Sequence, residues 1–131
     1  MMRFDGDLVA LLLAVAEGRL ADLGPIELAD RTALTVVMAA KGYPGTPEKG
    51  ALLSQLDAAE AGGAKVFHAG TTIRDSQLVA NGGRVLNVTA TGADVAEAQT
   101  KAYKAVDAID FPGGFCRRDI GWREVERLRK R

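Results

Sequence analysis

Hydrophobic residues near the start of the chain recur at helical spacing. Four of them follow the i, i+3, i+4, i+7 pattern of one helical face: Leu8, Leu11, Leu12 and Val15. Asp5 is a suitable amino-terminal cap, and Gly18 supplies a stop signal after Glu17. The pattern therefore predicts a helix from Asp5 to Glu17, with a face that either packs into the core or docks onto a partner.

Short apolar segments further along the chain have the composition of strands. Residues 34–40 are apolar and partly β-branched, which indicates a buried strand, and residues 65–68 are interpreted as a second one. A short helix is expected over residues 51–61. Asn81-Gly82 separates the runs 77–80 and 84–90 and is a strong hairpin signal, so these two runs are predicted to pair.

The last third of the chain is predicted to be mainly helical. Residues 91–94 have the spacing of a capping box. The helix that follows is predicted to bury one side: Val95, Ala98, Ala102, Val106 and Ile109. Another short helix is expected over residues 122–128. Because strands and helices do not alternate strictly, we expect an α+β fold with a mostly antiparallel sheet and flanking helices.

Composition narrows the possible classes of protein. The 131 residues suit one domain, residues 1–131, with a modest core. The 17 basic and 17 acidic residues cancel, so no general electrostatic attraction to nucleic acid or to an anionic membrane is expected. The longest apolar stretch, residues 8–16, is too short to span a bilayer and lacks the features of a signal peptide.

The chain has one cysteine, Cys116, and one histidine, His68. A single cysteine excludes an internal disulfide and fits a reduced, cytoplasmic setting. The usual zinc-ligand spacings cannot be built from one residue of each type. Cys116 is most simply a small core residue, because no nucleophile–base arrangement is recognisable around it.

Four short patches place glycine beside polar or basic residues at the ends of predicted strands or in turns. In chain order they cover residues 41–45 (KGYPG), 65–71 (KVFHAGT), 81–86 (NGGRVL) and 117–121 (RRDIG). Glycine lets backbone N–H groups approach an anion closely, and arginine or lysine can complete its recognition. In this order, the patches resemble the C-terminal domain of the glycinamide ribonucleotide synthetase family of ATP-grasp ligases.

This resemblance implies a function for a larger enzyme. The whole enzyme would join 5-phosphoribosylamine to glycine with ATP and Mg²⁺, giving glycinamide ribonucleotide. The amino-terminal and ATP-grasp domains are absent here, as is the family's metal-binding run of Glu and Asn, so we expect this chain to bind no cofactor itself and to be inactive alone. Its expected role is to line the substrate cleft and hold the ribose phosphate of 5-phosphoribosylamine or glycinamide ribonucleotide.

The sequence alone favours an ordinary hairpin turn with a solvated arginine at residues 81–84. The resemblance instead favours Arg84, Gly83 and Gly82 as phosphate ligands. It also favours a position near the substrate for His68, Gly70 and Thr71. His68 is assigned no general-base role, because spacing identifies no acidic partner.

Lys41 and Tyr43 lie in a loop rich in glycine and proline. This loop either lines the cleft, as the resemblance implies, or simply ends the preceding strand. In the basic tail, Arg118 and Asp119 are expected to form an ion pair that orders the end of the domain.

Two other functions remain open. The chain could be a non-catalytic module that docks in trans onto a separate ATP-grasp subunit through the apolar face of its first helix. The basic tail also raises the weaker possibility of an RNA-binding domain, although no nucleic-acid-binding motif accompanies it.

Overall fold

The fold is built around one central strand. The structure is a computed structural model and describes residues 1–130. The elements, in chain order, are α1 (Leu8–Ala16), a 3₁₀ turn (Leu20–Asp22), β1 (Thr32–Ala39), α2 (Leu56–Glu60), β2 (Lys65–His68), β3 (Thr71–Arg74), β4 (Gln77–Ala80), β5 (Arg84–Gly92), α3 (Val95–Ala108) and α4 (Trp122–Arg129). The main sheet has the order β1-β5-β2, and β3 and β4 form a separate two-stranded sheet.

All strand pairs in the two sheets are antiparallel. Val88 of β5 lies opposite Val36 of β1 on one side and opposite Val66 of β2 on the other. The backbone of Phe115 adds an isolated bridge to Ala39 at the end of β1. The predicted α+β architecture with a mostly antiparallel sheet and flanking helices is confirmed.

One face of the main sheet packs against α3 to form the core. Along β1, buried residues (Leu34, Val36 and Met38) alternate with exposed ones, which is the period of a strand with one covered face. Helix α3 presents mainly small buried residues to the sheet: Ala98, Ala102, Ala105 and Val106. These small side chains let the helix approach the strands closely, and the predicted buried side of α3 is largely confirmed.

A reciprocal cap begins α3. The backbone N–H of Glu97 donates to Asp94 Oδ1 at 2.8 Å, and the N–H of Ala93 donates to Glu97 Oε2 at 2.7 Å. The capping box was predicted to start at Thr91, but Thr91 still belongs to β5. The cap therefore lies one turn later than predicted, because β5 stays paired with β1 as far as Gly92.

Helix α1 differs from its prediction in two respects. It is capped by Asp7, which accepts from the N–H of Ala10 at 2.9 Å, and not by Asp5. The predicted buried face is only partly covered: Leu8 and Leu11 are half-buried, but Leu12 is 59% exposed and Val15 is 55% exposed. Ala14 is the buried residue of this helix. The prediction of a core-facing side was wrong because no sheet face of the described chain lies against it.

The predicted hairpin between residues 77–80 and 84–90 is also wrong. Strand β4 pairs with β3 through a tight turn at Asp75 and Ser76, whose φ angles of 50° and 63° are those of a type I′ turn. Strand β5 instead pairs with β1 and β2. The Asn81 N–H donates to the carbonyl of Gly70 at 2.8 Å, so Asn81-Gly82 joins two loops and does not close a hairpin.

Two smaller predictions need adjustment. Helix α2 is shorter than the predicted 51–61, because Leu52 and Ser54 form bridges to Val79 and Asp110. The expected Arg118–Asp119 ion pair is wrong: Arg118 Nη1 lies 2.6 Å from Asp107 Oδ1, and Asp119 pairs with Arg117.

Strand β2 and helix α4 match their predicted positions. Within residues 1–130, no helix has the length and apolar character needed to cross a membrane.

Candidate functional site

A polar cleft lies where the loop after β1 meets the two loops that precede β3 and β5. Its volume is about 760 Å³. The residues that line it are Val37, Tyr43, Ala69, Gly70, Thr71, Asn81, Gly82, Gly83, Arg84 and Asn87. The structure therefore brings together residues from three of the four sequence patches, together with residues of β1 and β5.

Glycine is required in this cleft because backbones approach closely, and not because of positive φ angles. A Cβ at Gly70 would lie 2.5 Å from the carbonyl oxygen of Arg84 and 3.0 Å from the Cα of Gly82. A Cβ at Gly83 would lie 2.7 Å from Cδ2 of the Tyr43 ring. Larger residues would push the three loops apart, so these glycines set the shape of the cleft.

Arg84 supplies the charge of the cleft. Of the lining residues that the structure describes, only Arg84 is charged. Its exposed guanidinium makes no hydrogen bond or ion pair with another residue among 1–130, and neither backbone N–H of Gly82 and Gly83 donates a hydrogen bond there. An unpaired guanidinium beside free backbone N–H groups is a suitable arrangement for an anion.

His68 is placed differently from its neighbours in the sequence. Thr71 and Gly70 line the cleft, whereas His68 lines a second cavity of about 550 Å³ next to Glu60, Lys65 and other residues. The His68 ring is nevertheless linked to the cleft, since its Nδ1 lies 3.1 Å from Thr71 Oγ1. His68 can thus orient the Thr71 hydroxyl without itself lining the cleft.

Lys41 and Tyr43 have separate positions although they share a loop. The Tyr43 ring lines the cleft and packs over Gly83. Lys41 does not line the cleft: its Nζ lies 2.9 Å from Glu48 Oε1, and the hydrogen bond to this carboxylate raises the pKa of Lys41. The structure thus places Tyr43 at the cleft and Lys41 in an exposed ion pair beside it.

Asn81, Asn87, Val37 and Ala69 line the cleft but were not among the candidate residues. A signal for Asn87 was present in the sequence. Polar residues at 87, 89 and 91 alternate with apolar ones along β5, which marks the sheet face turned away from α3. Val37 lies opposite Asn87 in the register of β1 and β5, so the same face continues across both strands.

A smaller, mostly apolar cavity adjoins the cleft. It has a volume of about 240 Å³ and is lined by Thr35, Val37, Ala39, Tyr43, Arg84, Phe115, Cys116, Arg117 and Ile120. Burial raises the pKa of the Cys116 thiol, so the thiol is protonated at neutral pH. Arg117 is held by Asp119 through two hydrogen bonds of 2.9 and 2.6 Å, which lower the pKa of the Asp119 carboxyl group.

The described part of the chain contains no group of three or more His, Cys, Asp or Glu side chains arranged to hold a metal ion. Among the residues described, the lining of the cleft includes no carboxylate side chain.

Comparisons with known proteins agree on one family. Residues 33–123 match the family described as "Phosphoribosylglycinamide synthetase, C domain". The chain is also similar to a crystal structure of phosphoribosylamine–glycine ligase from Thermotoga maritima, with a TM-score of 0.71 and 38% identity. That match covers 85% of this chain and 27% of the Thermotoga chain.

Curated relatives give the same picture. A phosphoribosylamine–glycine ligase from Mesorhizobium japonicum is 59% identical over 129 residues, which are 98% of this chain and 30% of the relative. A chloroplastic phosphoribosylamine–glycine ligase from Arabidopsis thaliana is 49% identical over 128 residues, which are 95% of this chain and 24% of the relative. The chain thus spans about 30% of the length of the Mesorhizobium relative and less of the plant one.

Proposed function

The chain belongs to the phosphoribosylglycinamide synthetase C-domain family, and we propose that residues 1–131 act as the C-terminal, substrate-side domain of a phosphoribosylamine–glycine ligase in purine biosynthesis. In the complete enzyme, ATP would phosphorylate the carboxylate of glycine, and the amine of 5-phosphoribosylamine would attack the resulting acyl phosphate. The products would be glycinamide ribonucleotide, ADP and phosphate. A cytoplasmic location remains the prediction made from the lone cysteine.

The role proposed for this chain is to bind the ribose phosphate and to wall off the reacting groups. The observation that carries this proposal is the unpaired Arg84 guanidinium beside the free N–H groups of Gly82 and Gly83. A phosphate there would accept charge-assisted hydrogen bonds from Arg84 and further bonds from the two backbone groups. Thr71 and Asn81 offer additional donors on the same cleft wall.

Closing the cleft against water would protect the intermediate. An acyl phosphate is readily hydrolysed, so a wall that excludes water favours attack by the amine. Tyr43 would contribute to this wall because its ring packs over Gly83 at the cleft. ATP and magnesium are assigned to the other domains of the ligase, and the isolated chain is expected to lack ligase activity. Glycine-dependent release of ADP by the chain alone, at a rate typical of enzymes, would contradict this expectation.

Titration of the chain with glycinamide ribonucleotide tests the phosphate site directly. Backbone amide shifts should saturate around Gly82–Arg84 and at Gly70 and Thr71. Arg84→Ala should weaken binding by about 10- to 100-fold, the equivalent of a charge-assisted hydrogen bond of roughly 1.5–3 kcal/mol. Arg129→Ala is the matched control, because it removes the same charge from an exposed position of α4. Equal losses in the two variants, or no shifts at millimolar ligand, would contradict the phosphate site.

Helix α1 favours a second function, which is docking in trans onto a separate ATP-grasp subunit. Its nine residues, LVALLLAVA, are apolar on every side. Val9, Leu12 and Leu13 share one exposed face at i, i+3 and i+4. A helix that is apolar all round is normally covered by other protein. The two functions are compatible if the partner is the remaining part of the ligase.

Association with a truncated relative tests docking in trans. The Mesorhizobium ligase without its matching C-terminal segment is the suitable partner. We expect the two chains to elute together and to regain activity when mixed. Leu12→Glu should abolish this association, whereas Ile73→Glu should not, since Ile73 is an equally exposed apolar residue on β3. Separate elution of the unaltered chains would contradict docking.

A further inference from the structure

The apolar cavity and the polar cleft share part of their walls. Val37, Tyr43 and Arg84 line both spaces. The remaining apolar wall is built by β1 and by the loop before α4, which is held against β1 by the Ala39–Phe115 backbone bridge. A ligand bound by Arg84 in the cleft therefore also lies next to a concave, mostly apolar surface.

The size of the apolar cavity limits what it can hold. Its volume of about 240 Å³ is below the ~300 Å³ lower end of ordinary small-molecule pockets. It therefore suits one part of a ligand, such as a single ring system. The part of the ligand that is bound in the cleft would supply the remaining contacts.

The chemistry of the lining favours a flat ring attached to an anion. Tyr43 and Phe115 are both partly exposed and line the cavity, so each offers aromatic surface to a ring. Two guanidinium groups, Arg84 and Arg117, also belong to the lining, and the bonds to Asp119 hold Arg117 in place. Arginine can both pair with an anion and stack on a planar ring.

We propose that the apolar cavity binds the heterocyclic base of a nucleoside monophosphate whose phosphate group occupies the Arg84 site. Such a nucleotide would compete with the ribose phosphate ligand for the cleft. This inference rests on the proposed function, because it uses the same phosphate position. It goes beyond that function by assigning a base-binding subsite that the ribose phosphate substrate, which has no base, would leave empty.

Three probes separate the contributions of phosphate, ribose and base. The chain is titrated with inorganic phosphate, ribose 5-phosphate and adenosine 5′-monophosphate while backbone amide shifts are followed. All three should shift Gly82–Arg84, and only the nucleotide should also shift Phe115 and Ile120. The nucleotide should bind about tenfold more tightly than ribose 5-phosphate, the effect of removing on the order of 60 Å² of apolar surface from water.

A pair of variants at Thr35 tests whether the cavity itself is responsible. Thr35 lines the apolar cavity but not the polar cleft, and its hydroxyl is hydrogen-bonded to Thr89 Oγ1 at 2.7 Å. Thr35→Phe would fill the cavity, whereas Thr35→Val loses the same hydrogen bond without filling it. We expect Thr35→Phe to remove the tenfold advantage of the nucleotide and to leave ribose 5-phosphate binding intact. Thr35→Val should retain that advantage.

The outcomes distinguish this inference from the proposed function. Equal affinities for the nucleotide and ribose 5-phosphate, or an advantage that survives Thr35→Phe, would overturn the base subsite and leave the phosphate site standing. Failure of ribose 5-phosphate to bind would overturn both. If Thr35→Phe does not fold, titration of the unaltered chain still tests the subsite, because nucleotide binding without shifts at Phe115 and Ile120 also overturns it.

Discussion

Helices α1 and α3 have the same kind of amino-terminal cap but differ in how far they are buried. Each is capped by an aspartate that accepts a hydrogen bond from the N–H three residues later. Helix α3 buries Ala98, Ala102 and Val106, whereas Ala14 is the buried residue of α1. The difference does not come from local helix signals, which both helices have. It comes from the presence of a sheet face beneath α3 and its absence beneath α1.

The regions around the two helices differ in the same way. The main sheet, α2 and α3 contribute to one continuous core of buried residues. None of residues 1–31 belongs to this core cluster, and backbone contacts such as the Phe4–Leu28 bridge hold the two ends of this segment together. We therefore expect the core region to determine the free energy of unfolding of the chain. Residues 1–31 should contribute little to that free energy until a partner covers them. Three pairs of matched substitutions test this expectation, and a single substitution in α3 tests the acid stability of the chain.

The largest difference is expected between two leucines. Leu86 of β5 is fully buried, and Leu12 of α1 is 59% exposed. Leu86→Ala should lower the free energy of unfolding by about 2–5 kcal/mol, because it removes packed atoms and leaves a cavity. Leu12→Ala should change it by less than about 0.5 kcal/mol. Urea unfolding measures both, and a cost above about 1 kcal/mol for Leu12→Ala would show that α1 is packed in the isolated chain.

A pair of glycines compares the tight cleft with the open first segment. Gly70→Ala would place its Cβ 2.5 Å from the carbonyl oxygen of Arg84, whereas a Cβ at Gly24 meets nothing within 4 Å. Gly70→Ala should destabilise the chain by about 1–3 kcal/mol through forced backbone shifts. Gly24→Ala should stay within about 0.5 kcal/mol of the unaltered chain. Thermal unfolding checks this, and a neutral Gly70→Ala would indicate that the cleft loops readily move apart.

The two aspartate caps give the closest comparison of the helices themselves. Asp94→Ala should cost about 1 kcal/mol of global stability, because α3 is part of the core and loses its cap. Asp7→Ala removes the same kind of bond from α1 but should leave the global unfolding free energy unchanged. Its effect should be limited to faster amide exchange over residues 8–16, since local opening there is independent of global unfolding. Equal global costs would mean that both helices unfold together with the core.

The smallest effect concerns acid stability. Hydrogen bonds from Lys101 and from the N–H of Ala93 lower the pKa of Glu97 in the folded chain. The resulting stabilisation is present above the unfolded pKa of about 4.3. It is lost as the pH falls through the lower folded pKa. Glu97→Gln should therefore reduce the loss of stability below about pH 4.3. Urea midpoints measured from pH 6 to pH 3 test this, and unchanged slopes would contradict it.

Much of the fold was predictable because its signals are local. The strands β1 and β2 were indicated by the composition of short segments, and the buried positions of α3 by helical periodicity. The hairpin prediction failed because Asn81-Gly82 indicates a turn but does not determine whether the strands on either side of it pair with each other. Strand β5 instead pairs with β1 and β2, which are distant in sequence. This arrangement depends on covering both edges of the central strand with neighbouring strands.

The candidate site was partly predictable for a similar reason. Six of the candidate residues line one cleft: Arg84, Gly82, Gly83, Gly70, Thr71 and Tyr43. The family resemblance pointed to these residues, and their role as substrate ligands stays a prediction. Lys41 and His68 belong to the same patches but lie outside the cleft lining. The backbone turns within residues 41–46, and β2 ends at His68, so membership in a patch does not determine which side chain faces the cleft.

The sequence by itself determined the types of local structure, the neutral charge balance and the family resemblance carried by the four patches, because these depend only on neighbouring residues and their order. The tertiary structure decided which faces are covered, which loops meet and which cations remain unpaired. It left Arg84 without a partner among residues 1–130, while Arg117, Arg118 and Lys41 each pair with a carboxylate. These are properties of distances between residues far apart in the chain, and packing alone sets those distances.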